Sequence, residues 1–387
     1  MPAIARPIKP DAKQVRAFIE SLFEEDLHAK RVLSLANGVV GAIEAAALGV
    51  HAIGHGLADV DFLDPKHAIK QVDRLLSNSG VEVEALQVPW VAFVVGQRDE
   101  LVVAIDWTEF DKDDQATIAL HLITSHGRAT PLLWKTVRKS RLGNRRNAHE
   151  DTLLLRLREM LPVGTKVTVL ADRAFGDREL YVGLGDIGFD YVIRFRGCIH
   201  VTSEDDETRT AAQWVPDNGR PKRLRNALVT QEKTPIGAVV CVHAPGMKEP
   251  WCLAASSSEL SASDIVKLYG RRFTIEESFR DTKDPRFGFG LAATRISSPE
   301  RRDRLLLIGA LAQGLLTLLG AAGEAAGLDR HLKANTSKKR VYSLFRQGLI
   351  WYRLIPGLKE ERLRVLMNAF GRQLAQHAVF REIYAFI

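Results

Sequence analysis

The spacing of hydrophobic positions changes along the chain, and each spacing predicts a different kind of element. Up to about residue 88 the apolar residues recur at helical intervals, as in RVLSLANGVVGAIEAAALGV (31–50). Asp11 is predicted to open the first helix, and Asp64-Pro65 has the form of an N-cap followed by proline. Residues 1–88 are therefore predicted to form a helical N-terminal region.

Runs rich in β-branched residues follow and predict a sheet. The predicted strands are WVAFVV (90–95), LVVAIDW (101–107), TIALHLIT (117–124), TPLLWKTV (130–137), KVTVLAD (166–172) and DYVIRFRG (190–197). WVAFVV is predicted to pair with LVVAIDW as a hairpin. Helices are predicted at 149–161 and 177–188. From LVVAIDW onwards, the predicted order is three strands, a helix, a strand, a helix and a strand. This is the order of a ribonuclease-H-like fold, an α/β mixed sheet with helices on its faces.

The remaining chain completes a five-part organisation. Between 198 and 256 short apolar runs alternate with polar stretches such as SEDDETRT, which predicts a β-rich insertion. We assign residues 89–197 to the first part of the ribonuclease-H-like core, 198–256 to the inserted β-rich subdomain, and 257–323 to the second part of the core. Residues 324–387 are predicted to be a helical C-terminal region.

One apolar segment needs to be weighed as a membrane span. LLLIGALAQGLLTLLGAAG (305–323) is long enough to cross a bilayer and follows several arginines. It is rich in Ala and Gly, however, and it contains Gln313 and Thr317. We predict a helix buried on all sides inside a soluble protein, with a membrane protein as the remote alternative.

Composition gives only weak information about the partners and the cellular location of the protein. The 387 residues include 54 basic and 47 acidic ones, and the net charge of +7 permits a polyanionic partner without requiring one. Cys198, Cys241 and Cys252 lack metal-type spacing, and no apolar secretion segment opens the chain, so we expect a cytoplasmic protein. His51 and His55 have helical spacing but no acidic partner pattern, and we interpret them as structural.

Two carboxylates are placed where neighbouring strands end. Asp106 ends the first long strand of the core, and Asp172 ends the fourth. Polar residues at the carboxyl ends of neighbouring strands converge on one crevice, although a capping role would explain either residue alone. Glu276, on a later helix, can supply a third carboxylate. Such oxygen ligands suit Mg²⁺, and a pair of these ions can promote in-line displacement at phosphorus.

The segment YGRRFTIEESFRDTK (269–283) is predicted to be one helix. On it, four polar or aromatic residues fall within an arc of roughly 60°, and these are Tyr269, Arg272, Glu276 and Lys283. A neighbouring stripe of Leu268, Ile275 and Phe279 is predicted to pack onto the core. Glu277 is the adjacent rival to Glu276, but it lies about 100° away from the polar stripe. A solvated face is the alternative interpretation of that stripe.

The order Tyr-x2-Arg-x3-Glu-x6-Lys in this segment resembles the YREK signature of bacterial insertion-sequence transposases of the DDE type, the insertion-sequence-four group. AIDWTEF (104–110) resembles the first-acid strand of that family, and VLADRAFGD (169–177) resembles its second-acid block. PWCLAASS (250–257) resembles the strand that precedes the signature. The resemblance spans most of the chain from about Lys70 and implies the ribonuclease-H-like fold with a β-strand insertion.

The resemblance also implies a site. Asp106, Asp172 and Glu276 would be the catalytic residues and the ligands of two Mg²⁺ ions, with Mn²⁺ as a substitute. The family carries out metal-dependent cleavage and transfer of DNA strands, which is cut-and-paste transposition. Its partners are double-stranded DNA, namely terminal inverted repeats and target DNA, and a second copy of the chain on that DNA. A bacterial, nucleoid-associated location follows.

Four further residues acquire DNA-binding roles from the resemblance. Arg272 and Lys283 would hold phosphates beside the scissile bond, and Tyr269 would contact the same strand. Trp251 would stack on a base that is flipped out of the duplex. Two alternatives stay open: a non-catalytic DNA-binding relic or regulator, and a stand-alone ribonuclease-H-like nuclease.

Recognition of the DNA ends is less legible. Lys70, Arg74 and Asn78 recur on one face of a predicted helix, as end-binding residues would, although a plain surface face explains them equally well. A basic cluster in VRKSRLGNRR (137–146) is predicted to lie in a loop and to follow phosphates.

Overall fold

The structure, a computed structural model, describes residues 12–124 and 126–384, with side chains described up to residue 374. The predicted helix start at Asp11 lies outside these residues. The helices are α1 (Ala12–Phe23), α2 (Ala29–Ala45), α3 (Val50–Asp61), α4 (Pro65–Ser77), α5 (Val83–Val95), α6 (Arg146–Met160), α7 (Arg178–Asp186), α8 (Ala262–Gly270), α9 (Phe273–Lys283), α10 (Pro299–Ala325), α11 (Leu344–Leu354) and α12 (Glu360–Tyr384).

The strands form one mixed sheet. They are β1 (Glu100–Phe110), β2 (Gln115–Ile123), β3 (Ala129–Arg138), β4 (Lys166–Ala171), β5 (Asp190–Phe195), β6 (His200–Thr202), β7 (Thr208–Thr210), β8 (Lys222–Val229), β9 (Thr234–Val242) and β10 (Trp251–Ala255). Their spatial order is β3-β2-β1-β4-β5-β10-β9-β8-β6-β7. β1, β4 and β5 are mutually parallel, whereas β2 and β3 continue the sheet as antiparallel neighbours. The predicted order of three strands, helix, strand, helix and strand is confirmed.

The strands between 198 and 256 extend this same sheet. β10 pairs with β5 on one side and with β9 on the other, both antiparallel. The short strands predicted here are therefore present, and they join the core edge to edge. β10 lies next to β5 and runs antiparallel to it. The start of β10 is therefore close to the carboxyl end of β5.

The prediction of a strand at WVAFVV (90–95) is wrong, because these residues form the second half of α5. Trp90 Nε1 donates a hydrogen bond to Pro131 O at 2.9 Å, and Gln87 Nε2 donates to Trp134 O at 3.0 Å, so α5 packs along β3. A helix that is buried on several sides is apolar all round and does not show amphipathic periodicity. The helical N-terminal part of the fold therefore continues to Val95.

The apolar segment 305–323 lies within α10, which packs among helices of the core. Among the described residues α10 is the only single helix long and apolar enough to cross a membrane, and 72% of its most apolar stretch is buried in the structure. α2 and α3 pass the same test only as a pair bent by 94°. Gly348 of α11 contacts α10 so closely that an added Cβ would lie 1.8 Å from Leu316 O. The prediction of a helix buried within the protein agrees with this packing.

A buried arginine fixes the start of α10 to the turn after β1. Arg302 is fully buried, donates from Nη2 to Asp113 Oδ2 at 2.6 Å, and donates from Nε to Gln115 at 2.5 Å. Its guanidinium lies 3.7 Å from the centre of the Phe110 ring. Arg295 also pairs with Asp113, at 3.7 Å, but its side chain is 72% exposed. Only the Arg302 pair is therefore a buried link.

The prediction of one continuous helix over 269–283 is wrong in one respect: a turn separates α8 from α9. The amides of Arg271 and Arg272 bond to the carbonyls of Leu268 and Tyr269, three residues back, which tightens the chain at Gly270. The apolar stripe is confirmed, because Ile275 is fully buried and Leu268 and Phe279 pack against the same cluster.

Candidate active site

The first two acids lie side by side where the parallel pairing of β1 and β4 ends. The prediction that Asp106 ends its strand is wrong, because β1 continues to Phe110 by pairing with β2. β1 and β4 pair in register up to Ala104 and Leu170, so two further residues bring Asp106 beside Asp172, which directly follows β4. Asp106 Oδ1 accepts a hydrogen bond from the amide of Trp107 at 2.8 Å, and Asp172 Oδ1 accepts one from Ala174 N at 2.8 Å. Both carboxylates are thus oriented by their own backbone.

Glu276 reaches the same place from α9 through an arginine. Arg272 Nη1 donates to Asp106 Oδ2 at 3.3 Å, across 166 positions of the chain, and Nη2 donates to Glu276 Oε1. The Arg272 side chain is 5% exposed, whereas that of Glu276 is 51% exposed. One guanidinium therefore lies between a strand carboxylate and a helix carboxylate.

The electrostatics of Asp106 reflect this crowding. The pKa of Asp106 is raised to about 6, chiefly by burial. The positive charge of Arg272 and the hydrogen bond from the Trp107 amide lower this pKa, while the charges of Asp172 and Glu276 raise it. The contribution of two other carboxylates places all three acids within one electrostatic neighbourhood. A pKa near 6 means that the negative charge on Asp106 is incompletely compensated by Arg272.

Aromatic rings cover one side of the guanidinium. The Trp251 ring, at the start of β10, lies 4.9 Å from the Tyr269 ring edge-to-face and 5.9 Å from the Phe273 ring in a stacked arrangement. Arg272 lies 5.0 Å from the centre of the Phe273 ring and 6.0 Å from that of Tyr269. The structure therefore brings Trp251, Tyr269 and Arg272 together, as the sequence analysis expected. Phe273, 40% exposed, was missed although it directly follows Arg272 in the signature segment.

Lys283 lies away from this cluster. Its ammonium donates to Thr108 Oγ1 at 3.1 Å and to Glu109 O at 2.8 Å, and it lies 4.8 Å from the centre of the Phe110 ring. Burial lowers the pKa of Lys283, and Asp111 opposes that effect. Thr108 is two residues beyond Asp106, about 7 Å along β1 on the same face. The Lys283 ammonium therefore lies further along the face of β1 that carries Asp106, and it makes no ion pair with Asp106.

A second ion-pair bridge, which the sequence analysis missed, connects Asp172 with Trp251. Glu249 pairs with Arg173 at 3.1 Å and with Arg194 of β5 at 3.1 Å, and Arg194 also donates to Pro250 O at 3.1 Å. Arg173 follows Asp172 directly, and Pro250 precedes Trp251. Glu249 therefore links the second-acid block to the aromatic cluster. This role of Glu249 could not be predicted from the sequence, because a single Glu in a loop is common and indicates no particular partner.

Whether these residues fit divalent cations can be judged from their chemistry. Two adjacent carboxylates with an incompletely compensated charge and a third, exposed carboxylate are the oxygen donors that Mg²⁺ prefers. Among the described residues, however, no group of three His, Cys, Asp or Glu side chains is close enough to hold a metal ion. The donor types fit, and Arg272 occupies the position between Asp106 and Glu276.

Most of the basic cluster at 137–146 serves the fold rather than an open surface. Lys139 pairs with Glu109 at 2.5 Å and Arg146 pairs with the same carboxylate at 2.8 Å, while Arg138, inside β3, donates to two backbone carbonyls. Of the five cations, Arg141 and Arg145 are exposed. The prediction that the whole cluster lies in a loop is therefore wrong.

The helix predicted to carry end-binding residues is α4, and the structure agrees with that prediction in part. Asp64 caps the helix by accepting from His67 N, and Pro65 follows it, which confirms the predicted N-terminus. Lys70 and Arg74 are exposed on this helix, whereas Asn78 ends it and accepts a hydrogen bond from Gly80 N at 3.0 Å. Asn78 is thus at least partly a structural cap.

Fold and site together describe an α/β protein with carboxylates gathered where the pairing of two parallel strands, β1 and β4, ends. Residues 97–315, more than half of the chain, match the family model of the transposase DDE domain. The chain belongs to this family, the transposase DDE domain family. No curated protein matches the chain.

Proposed function

We propose that the protein binds the ends of a transposable element, cleaves the DNA strands there and transfers them to target DNA, using Asp106, Asp172 and Glu276. We place it in the insertion-sequence-four group, with the YREK signature at Tyr269, Arg272, Glu276 and Lys283 and a ribonuclease-H-like core. The observation that carries this proposal is the meeting of Asp106 and Glu276 on one guanidinium from positions 170 residues apart, with Asp172 beside Asp106.

Mg²⁺ is the proposed cofactor, with Mn²⁺ as its substitute. Asp106, on the central strand, would be shared between two cations, and Asp172 and Glu276 would each complete one site. The cations would activate the attacking oxygen and stabilise the leaving one. The chain itself orients these carboxylates: backbone amides hold Asp106 and Asp172, and the two parallel strands keep them side by side.

The remaining signature residues would bind the DNA strand. Arg272, beside both acids, is suited to a phosphate at the scissile bond because a guanidinium can bind phosphate oxygens in pairs. Trp251 and Phe273 offer an aromatic surface next to it, on which a flipped base could stack. Tyr269 is only 1% exposed and packs edge-to-face against both rings, so it would support this surface rather than contact the base. Lys283, about 7 Å further along β1, would contact the next part of the backbone.

The other expectations complete the proposal. We propose that residues 1–88 bind the DNA ends, with Lys70 and Arg74 on the exposed face of α4, and that Arg141 and Arg145 follow the backbone near α6. Residues 89–197 and 257–323 would be the two parts of the catalytic core, 198–256 its insertion, and 324–387 a helical region. The protein would act as a homodimer on DNA in the bacterial cytoplasm, associated with the nucleoid.

One observation favours a second candidate, a DNA-binding relic or regulator that does not cut. Arg272 is buried between two of the three acids, and such an ion pair would also serve in a protein that never binds metal. Cleavage separates the two candidates. We would incubate end-labelled DNA carrying the sequences that flank the gene with the protein, with and without Mg²⁺.

The proposed function predicts nicking that requires Mg²⁺ and is lost in Asp106→Ala but kept in Asp186→Ala, an exposed acid on α7. Absence of nicking from the unaltered protein on DNA that it binds would favour the regulator. Hydrolysis without strand joining would instead indicate a stand-alone nuclease. A double-length species on denaturing gels would reveal a hairpin intermediate, and Trp251→Ala should reduce it.

A further inference from the structure

The guanidinium of Arg272 lies where the proposed site needs its cations. We propose that Arg272 is an internal counter-ion that keeps the acids from binding divalent metal until a DNA phosphate takes over its guanidinium. Metal loading would then be coupled to substrate binding. This inference rests on the proposed function, because it deals with the same three acids.

The ion pairs are the first support. Arg272 donates to Asp106 at 3.3 Å and also to Glu276, so one group bridges the strand and the helix that would hold the cations. A cation bound by Asp106 would face the positive charge of Arg272 at close range. Like charges at this range repel one another, and a divalent ion increases that repulsion. The exposure of Glu276 reduces the effect through solvent screening.

The second support is an unsatisfied donor. The Nε of Arg272 is buried and has no hydrogen-bond partner among the residues that the structure describes. A buried donor without an acceptor is costly, so Arg272 is not fully satisfied by the acids alone. A phosphate oxygen could satisfy it, because guanidinium groups bind phosphate through two neighbouring N–H groups.

The third support is that the two carboxylates bound by Arg272 differ in solvent exposure and in how firmly they are held. Asp106 is 18% exposed and bound to its own backbone, whereas Glu276 is 51% exposed on α9. If a phosphate draws the guanidinium away, the Glu276 carboxylate is released at the solvent-facing side of the site. The ring centres of Phe273 and Tyr269 lie 5.0 and 6.0 Å from the guanidinium, and these residues add no ion pair that would hold it in place.

The test measures metal binding rather than activity. Free Mn²⁺ would be quantified by electron paramagnetic resonance in titrations of the DNA-free protein, its Arg272→Gln variant and its Arg280→Gln variant. Arg280 lies on the same helix and pairs with Glu277 at 2.7 Å, so it is a matched control. We expect Arg272→Gln to bind Mn²⁺ about tenfold more tightly than the unaltered protein, and Arg280→Gln to leave the affinity unchanged.

A second measurement needs no variant of Arg272. A short DNA duplex added to the unaltered protein should tighten its Mn²⁺ binding, after subtraction of the signal from the same duplex with Asp106→Asn. The proposal is overturned if the duplex has no such effect, or if a folded Arg272→Gln protein binds Mn²⁺ no more tightly. If no protein binds Mn²⁺ in a manner that depends on Asp106, even with DNA, the proposed metal chemistry fails, and this inference fails with it.

Discussion

Replacing Asp106 by asparagine is expected to stabilise the metal-free protein while abolishing its proposed activity. The pKa of Asp106 is raised from 3.8 to about 6, chiefly by burial, and the side chain is only 18% exposed. The folded state therefore disfavours the ionised form by about 3 kcal/mol at pH 8. Asparagine removes the charge and keeps an oxygen for the Trp107 amide. The asparagine amide nitrogen would face Arg272, donor against donor, which reduces the benefit. We therefore expect a gain in stability of about 2–3 kcal/mol.

The gain must depend on pH with a defined sign. Between about pH 4 and pH 6 the folded protein holds the Asp106 proton more tightly than the unfolded chain does, so its stability falls as the pH rises through that window. The penalty is absent below the window and complete above it. An asparagine side chain has no proton to lose, and the advantage of Asp106→Asn should therefore fall to about half at pH 5.

Urea unfolding in EDTA at pH 5 and pH 8 measures both quantities. Asp186→Asn, a change at an exposed acid of α7, serves as the control and should leave the free energy of unfolding unchanged within about 0.5 kcal/mol. The reasoning is refuted if Asp106→Asn is less stable than the unaltered protein at pH 8, or if the gain is equal at the two pH values. With a short DNA duplex present, added Mg²⁺ should stabilise the unaltered protein and leave Asp106→Asn unaffected.

Three further changes test other parts of the structure. Glu249→Gln should release Arg173 and Arg194 and so raise the affinity for DNA several-fold at low salt. The slope of log affinity against log salt concentration should steepen by about one unit for each arginine released. Glu207→Gln, a control at an exposed acid, should change neither quantity. Arg302→Met should cost about 3–5 kcal/mol in urea unfolding, because it leaves the buried Asp113 with only the longer ion pair to the exposed Arg295. Arg295→Met should cost less than about 1 kcal/mol, and equal costs would contradict the assignment of Arg302 as the buried link. Gly348→Ala should lower the unfolding free energy by about 3 kcal/mol by forcing α11 away from α10, and a melting temperature equal to that of the unaltered protein would disprove the close contact.

The errors of the sequence analysis have identifiable physical causes. WVAFVV is a helix because α5 is buried against both β3 and the neighbouring helices, and an apolar run buried on several sides has no period that separates helix from strand. The signature segment breaks at Gly270, where the backbone tightens, although helical spacing continues on both sides. Lys139 and Arg146 lie on Glu109, and no local pattern announces a partner 30 or more positions away.

What the sequence determined by itself was local. Alternating β-branched runs and their polar ends predicted the order of the core elements and put Asp172 at the end of a strand, because strand periodicity and strand ends are properties of short segments. The end of β1 was placed too early, since this strand continues past Asp106 to Phe110. The buried face of Ile275 followed from helical spacing in the same way.

Only the tertiary structure decided which charges meet. Arg272 lies between Asp106 and Glu276, Glu249 joins two arginines, and Lys283 turns toward Thr108, each through contacts that depend on how α9 and β10 are set against the sheet. Charges act over a few ångströms of space and not over distance along the chain, so their pairing cannot be read from spacing in the sequence.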